Sequence, residues 1–122
     1  MFDKILQMNL LYDFYGQLLT KKQQEVLQLY YTHDLSLGEI SEQLGVSRQA
    51  VYDTVKRTEK LLFEYEKKLG LVHKFITTKK QIQEILNIVE KIENNKQLCE
   101  VIDSIQEEIK KIKRLSYDIL EK

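Results

Sequence analysis

The sequence predicts an all-α protein: a helix-turn-helix bundle followed by an antiparallel helical hairpin. Three observations carry that prediction. The 122 residues include no proline and only four glycines, so obligatory breaks are few, and the abundant Leu, Ile, Lys, Glu and Gln favour helix. Between Leu35 and Gly70, two capped helix starts lie eleven residues apart with Gly45 at the turn between them. Beyond residue 76, apolar residues recur at alternating steps of three and four, the period of helices with one apolar face.

The first helix covers residues 2–15, with Phe2, Ile5, Leu6, Leu10 and Phe14 on its apolar side and Gly16 placed to end it in a left-handed cap. Thr20 opens a second helix with Gln23 in the capping-box position. That helix carries Val26, Leu27, Leu29, Tyr30 and Tyr31 and fades at His33-Asp34. Lys21 and Lys22 occupy its first turn, against the helix dipole. A phosphate approaching that helix start would account for them, and so would two solvated lysines.

Ser36 and Glu39 form the next capping box, Leu35 and Ile40 its hydrophobic staple, and the short helix ends at Leu44 before Gly45. Gly45 supplies the positive φ of a tight turn, and Ser47 caps a second helix with Val46 and Val51 as another staple. This is the signature of a helix-turn-helix. Its second helix runs to Gly70 with Val51, Val55, Thr58, Leu62, Tyr65 and Leu69 on one stripe. Gln49, Tyr52, Asp53, Lys56 and Lys60 fall on another side, with Arg48 and Arg57 beside them. In this motif the start of the second helix enters the major groove, where Arg, Gln and Tyr reach base edges and Lys reaches phosphates. Ser47, Arg48, Gln49, Tyr52, Asp53, Lys56, Arg57 and Lys60, with Lys21 and Lys22, are therefore the candidate DNA contacts. Asp53 fits only by accepting from a cytosine amino group, since it repels the backbone.

The helix-turn-helix domain is placed at residues 1–70 and the hairpin at 71–122, packed on the first domain or on a dimer partner. Leu71 to Ile76 reads as an apolar connector anchored by Phe75, and Thr78 with Gln81 as the cap of the hairpin's first helix. Ile82, Ile85, Val89 and Ile92 form its seam, Asn94-Asn95 the turn, and Leu98, Ile102, Ile105, Ile109, Ile112, Ser116 and Ile119 the seam of the returning helix. Leu86, Ile88, Val101 and Leu115 lie outside these seams, and this surplus apolar surface points to a homodimer.

Charge and composition bound the function. Nineteen basic and nineteen acidic residues cancel, so any electrostatic footprint for nucleic acid is local. One cysteine, Cys99, excludes an internal disulfide and suits a reducing compartment. The two histidines, forty residues apart, have no metal-ligand spacing. No apolar run is membrane-length, and with Asp3 near its start the N-terminus does not read as a signal peptide, so a cytoplasmic protein is expected. No nucleophile motif or phosphate-cradling glycine loop is present; neither an enzyme nor a bound cofactor is expected.

Thr20 to Leu62 resembles region 4 of bacterial sigma factors, through Leu35-Ser36-Leu37-Gly38-Glu39-Ile40, Leu44-Gly45-Val46-Ser47 and Val51. Almost the whole chain is similar to the YlxM family of small bacterial proteins. That likeness rests on Asn9-Leu10-Leu11-Tyr12-Asp13-Phe14-Tyr15-Gly16, Leu18-Leu19-Thr20, the run from Gln43 to Asp53, and Tyr65-Glu66-Lys67-Lys68-Leu69-Gly70-Leu71. The resemblance implies a sigma-region-4-like helical fold. It also implies a regulatory role linked by gene neighbourhood to the signal recognition particle. Two readings follow: a dimeric DNA-binding regulator, or an accessory module that binds a signal recognition particle protein or RNA.

Overall fold

A computed structural model describes residues 2–121, with side chains from residue 4 onward; Phe2, expected on an apolar helix face, lies outside the described side chains. Among the described residues there are seven α-helices and no strand. The chain divides between His73 and Lys74 into two compact units.

In the first unit, α1 (Phe2–Tyr15), α2 (Lys21–Leu27) and α3 (Leu37–Leu44) all pack on α4 (Arg48–Leu69). Met8, Leu11, Tyr15, Leu19, Leu27 and Leu62 form one buried cluster with Val72, from the first turn of α5 (Leu71–Glu93). Val26, Ile40, Val51 and Val55 form another, against which Leu35 and Val46 pack as their staple roles require. Both capping boxes are complete: Thr20 exchanges bonds with Gln23, and Ser36 with Glu39. Gly45 (φ 68°) and Gly70 (φ 63°) are left-handed and end α3 and α4.

Four expectations change here. Gly16 is not a left-handed cap. It opens a 3-10 turn, Gly16–Leu18, and lies against the Tyr12 ring, whose atoms would stand 3.2–3.3 Å from a Cβ. The glycine is there for close approach. The second helix is α-helical only to Leu27, then widens into a π turn, Gln28–Thr32, before left-handed Asp34 (φ 54°). Leu69, expected on the apolar stripe, is exposed, whereas Glu59 is buried. Leu71 to Ile76 is no connector: it is the beginning of α5, and Thr78 lies inside that helix.

The sequence hides the start of α5 because its cap comes from a distance. Gly70 turns the chain, and the Glu66 carboxylate then accepts from the amides of Val72 and His73, each at 3.0 Å. The Tyr15 hydroxyl donates to Glu66 at 2.5 Å and accepts from the Leu71 amide at 3.0 Å. Three orphan amides of the first turn are thereby satisfied by two side chains of earlier helices.

In the second unit the turn falls at Asn94–Asn95, and the Asn95 side chain accepts from the Gln97 amide at 3.0 Å. The returning limb is divided into α6 (Cys99–Ser104) and α7 (Gln106–Glu121) by Ile105, whose backbone (φ −116°, ψ 20°) is not helical. Val89, Ile102 and Ile109 form its core. Lys113 Nζ reaches Glu93 Oε1 at 2.9 Å, and the carboxylate raises the lysine pKa. A straight return that sets Ile102 beside Val89 would carry Lys113 ~20 Å away from Glu93, at 1.5 Å per residue. The chain therefore turns again at Ile105. Only part of each expected seam faces inward: Val89 on α5, and Ile102, Ile109 and Ser116 on the return, are buried. Ile85, Ile92, Ile105, Ile112 and Ile119 are exposed, and Leu86, placed outside the seam, is buried.

Candidate nucleic-acid interface

The helix pair α3–α4 around Gly45 sets one polar face outward. Ser47 adopts extended backbone (φ −73°, ψ 157°) and its hydroxyl accepts from the Ala50 amide at 3.0 Å, so its side chain is committed to starting α4. Val51, Val55, Thr58 and Leu62 anchor one side of α4 in the bundle. Rotation of 100° per residue then sends Gln49, Tyr52, Asp53, Lys56 and Lys60 outward, and all five are exposed, as are Arg48 and Arg57.

Several of these side chains are already engaged. Gln49 Nε2 donates to Asp53 Oδ1 at 2.9 Å, one turn apart, which gives the carboxylate a neutral donor on its own face. Lys56 Nζ stands 5.7 Å from the centre of the Tyr52 ring and 3.9 Å from Glu59 Oε2. The ammonium thus bridges an exposed aromatic face and a buried acid. Arg48 leans back over α3: its guanidinium atoms lie 3.1–3.2 Å from where a Cβ of Gly38 would stand. Gly38 therefore leaves the room in which that cation lies. Lys21 and Lys22 are exposed in the first turn of α2, on a different helix, and among the described residues no hydrogen bond or ion pair ties them to the α4 face.

Glu59 is the functional neighbour that sequence reasoning missed. Its carboxylate accepts from the Tyr31 hydroxyl at 2.6 Å and pairs with Lys4 at 3.5 Å as well as Lys56. Burial, reinforced by the bond to Glu59, pushes the Tyr31 hydroxyl pKa well above the usual range. The signal was position: Glu59 is four residues past Val55 and three before Leu62, at the edge of the buried stripe.

Similarity then decides the family. The family model described as "Putative helix-turn-helix protein, YlxM / p13 like" matches residues 2–119. The chain belongs to that family, UPF0122. It is 49% identical over 105 residues to the UPF0122 protein of Halalkalibacterium halodurans, covering 86% of this chain and 96% of the relative. It is 49% identical over 108 residues to that of Geobacillus sp. strain WCH70, covering 88% and 98%. With that of Acetivibrio thermocellus the figures are 47% over 113 residues, 90% and 97%. The family match spans both units, so the second unit belongs to the UPF0122 chain as much as the helix-turn-helix does. Among the described residues no helix is long and apolar enough to cross a membrane.

Proposed function

We propose that this UPF0122 protein is a dimeric, cytoplasmic DNA-binding regulator built on a sigma-region-4-like helix-turn-helix, with α4 as its reading helix. The observation that carries the reading is the fully capped α3–Gly45–α4 unit, which leaves Arg48, Gln49, Tyr52, Lys56, Arg57 and Lys60 exposed at the start of one helix. Ser47 positions that start, and Lys21 and Lys22 add phosphate contacts from α2. Asp53, held by Gln49, reads a cytosine amino group or excludes other bases. The whole chain is neutral, so affinity rests on these local contacts and non-specific binding is weak.

A second reading is favoured by Tyr52, an exposed ring with a lysine over it. Stacking on an unpaired base with a neighbouring phosphate contact is how single-stranded RNA is held. In that reading the same face binds the RNA, or the protein, of the signal recognition particle, and the protein assists that pathway.

Fluorescence anisotropy with labelled duplex DNA and signal recognition particle RNA, over a salt series, separates the two. Saturable DNA binding with a steep salt slope, lost in an Arg48→Ala/Lys56→Ala variant, supports the regulator. Binding to the RNA alone moves the function to the particle. Binding to neither overturns both nucleic-acid readings.

A further inference from the structure

The second unit is short of core. Its buried apolar residues are Leu86, Val89, Ile102 and Ile109, while two stripes of large apolar side chains are exposed: Ile85, Ile88 and Ile92 on α5, and Ile112, Leu115 and Ile119 on α7. Each stripe steps by three and then four, the spacing of a coiled-coil seam. Each is edged by two charges of opposite sign seven residues apart, in the same register: Glu84 and Lys91 directly precede Ile85 and Ile92, and Lys111 and Asp118 directly precede Ile112 and Ile119. All four charged residues are exposed, and among the described residues none of them has an ion pair within the chain.

This arrangement is complementary to itself in one direction only. When a stripe meets its own copy in parallel, the charged edges of the two helices lie on opposite sides of the seam and do not meet. When it meets its copy antiparallel about the middle residue, Ile88 or Leu115, each acid comes beside a base, twice per stripe by symmetry. We propose that two copies of this chain pair antiparallel through these stripes, Glu84 beside Lys91 of the partner subunit and Lys111 beside Asp118 of the partner subunit. The proposal rests on the dimer reading above and assigns its surface and direction. The isologous contact covers apolar surface that the unit's own core leaves open.

Sedimentation equilibrium on the full chain at low salt tests it, with Glu84→Lys, Lys111→Glu and the charge swaps Glu84→Lys/Lys91→Glu and Lys111→Glu/Asp118→Lys. Each single reversal replaces two attractive contacts by two repulsive ones and weakens the dimer roughly ten-fold, an effect that salt reduces. Each swap restores the dimer to within about three-fold of the starting chain, because an antiparallel pair is unchanged by exchanging its two charges. A starting chain that stays monomeric at about 100 μM, weaker than a specific dimer of this kind, overturns the dimer reading itself. A dimer whose swaps are no better than the single reversals overturns the antiparallel register and leaves the dimer. A dimer rescued only when both swaps are combined sets the charged edge of α5 against that of α7 of the partner subunit, which overturns the proposal as well.

Discussion

The two units solve the same problem differently. In the first, α1, α2 and α3 all have α4 to lie against, and the result is two buried clusters with Met8, Leu11, Tyr15, Ile40, Val51 and Leu62 each at most 1% exposed. In the second, three helices share Val89, Ile102 and Ile109 while isoleucines on α5 and α7 face water. The first unit is rich in Leu and the second in Ile, so neither lacks apolar side chains for a core. The difference lies in a central helix: a long helix with several neighbours buries its stripe from Val51 to Leu62, whereas a limb broken at Ile105 buries one side of its seam. Rigidity suits the role proposed for α4, which needs a fixed orientation. An open apolar face suits the contact proposed for the second unit.

The largest effect that would break this comparison is a cavity. Leu62→Ala, at a fully buried position where α4 meets α1, is expected to cost about 2–5 kcal/mol in urea denaturation. Ile88→Ala, on an exposed face, is expected to cost less than about 0.5 kcal/mol in a dilute, monomeric sample. Similar losses at both positions would show that the second unit is as closely packed as the first.

An intermediate effect is expected where α5 begins. Burial raises the Glu66 pKa, but the bonds from Tyr15 and from the Val72 and His73 amides outweigh it, and the carboxyl ends below its ordinary value of 4.5. A depressed folded-state pKa contributes stability that is present above the unfolded value and is lost as the pH falls through the folded one. Glu66→Gln should therefore cost about 0.5–1.5 kcal/mol at neutral pH, as expected for partly solvated amides that lose a charged acceptor. The cost should shrink as the pH falls through the folded-state value, below 4.5, where the wild-type carboxyl itself becomes protonated. A loss that stays the same across the whole acid titration would show that shape, and not charge, caps α5.

What could be read in the sequence follows the same division. The caps at Thr20, Ser36 and Ser47 and the turn at Gly45 are local events, each settled by residues within four positions of one another, and each is found where the sequence puts it. The cap of α5 was not legible because Tyr15 lies 56 residues from the amide it accepts from. Glu59 was missed because its partners, Lys4 and Tyr31, come from elsewhere in the chain. In the second unit the period of three and four correctly announced helices, but it could not say which isoleucines face inward, because the break at Ile105 carries no proline or glycine to mark it. At the candidate interface the outward face was legible from helical rotation alone. That Gln49 binds Asp53 and Arg48 lies over Gly38 depends on rotamers and on a neighbouring helix.

The smallest effect sharpens the comparison from the other side. Thr58 is fully buried in the stripe between Val55 and Leu62, and its hydroxyl has no hydrogen-bond partner. Thr54, one turn earlier, instead donates to the Ala50 carbonyl at 2.9 Å. A buried unpaired hydroxyl costs about 1–3 kcal/mol, so the first unit tolerates a polar defect in its tightest region, which a unit with so small a core as the second could hardly bear. Thr58→Val keeps the β-branched shape and removes the hydroxyl. It is expected to leave the fold unchanged and to raise stability by up to about 1 kcal/mol, read as a higher urea midpoint at constant slope. A loss of 1 kcal/mol or more would mean that the hydroxyl has a partner in solution, such as a buried water, and that this stretch of the bundle is less dry than its packing suggests.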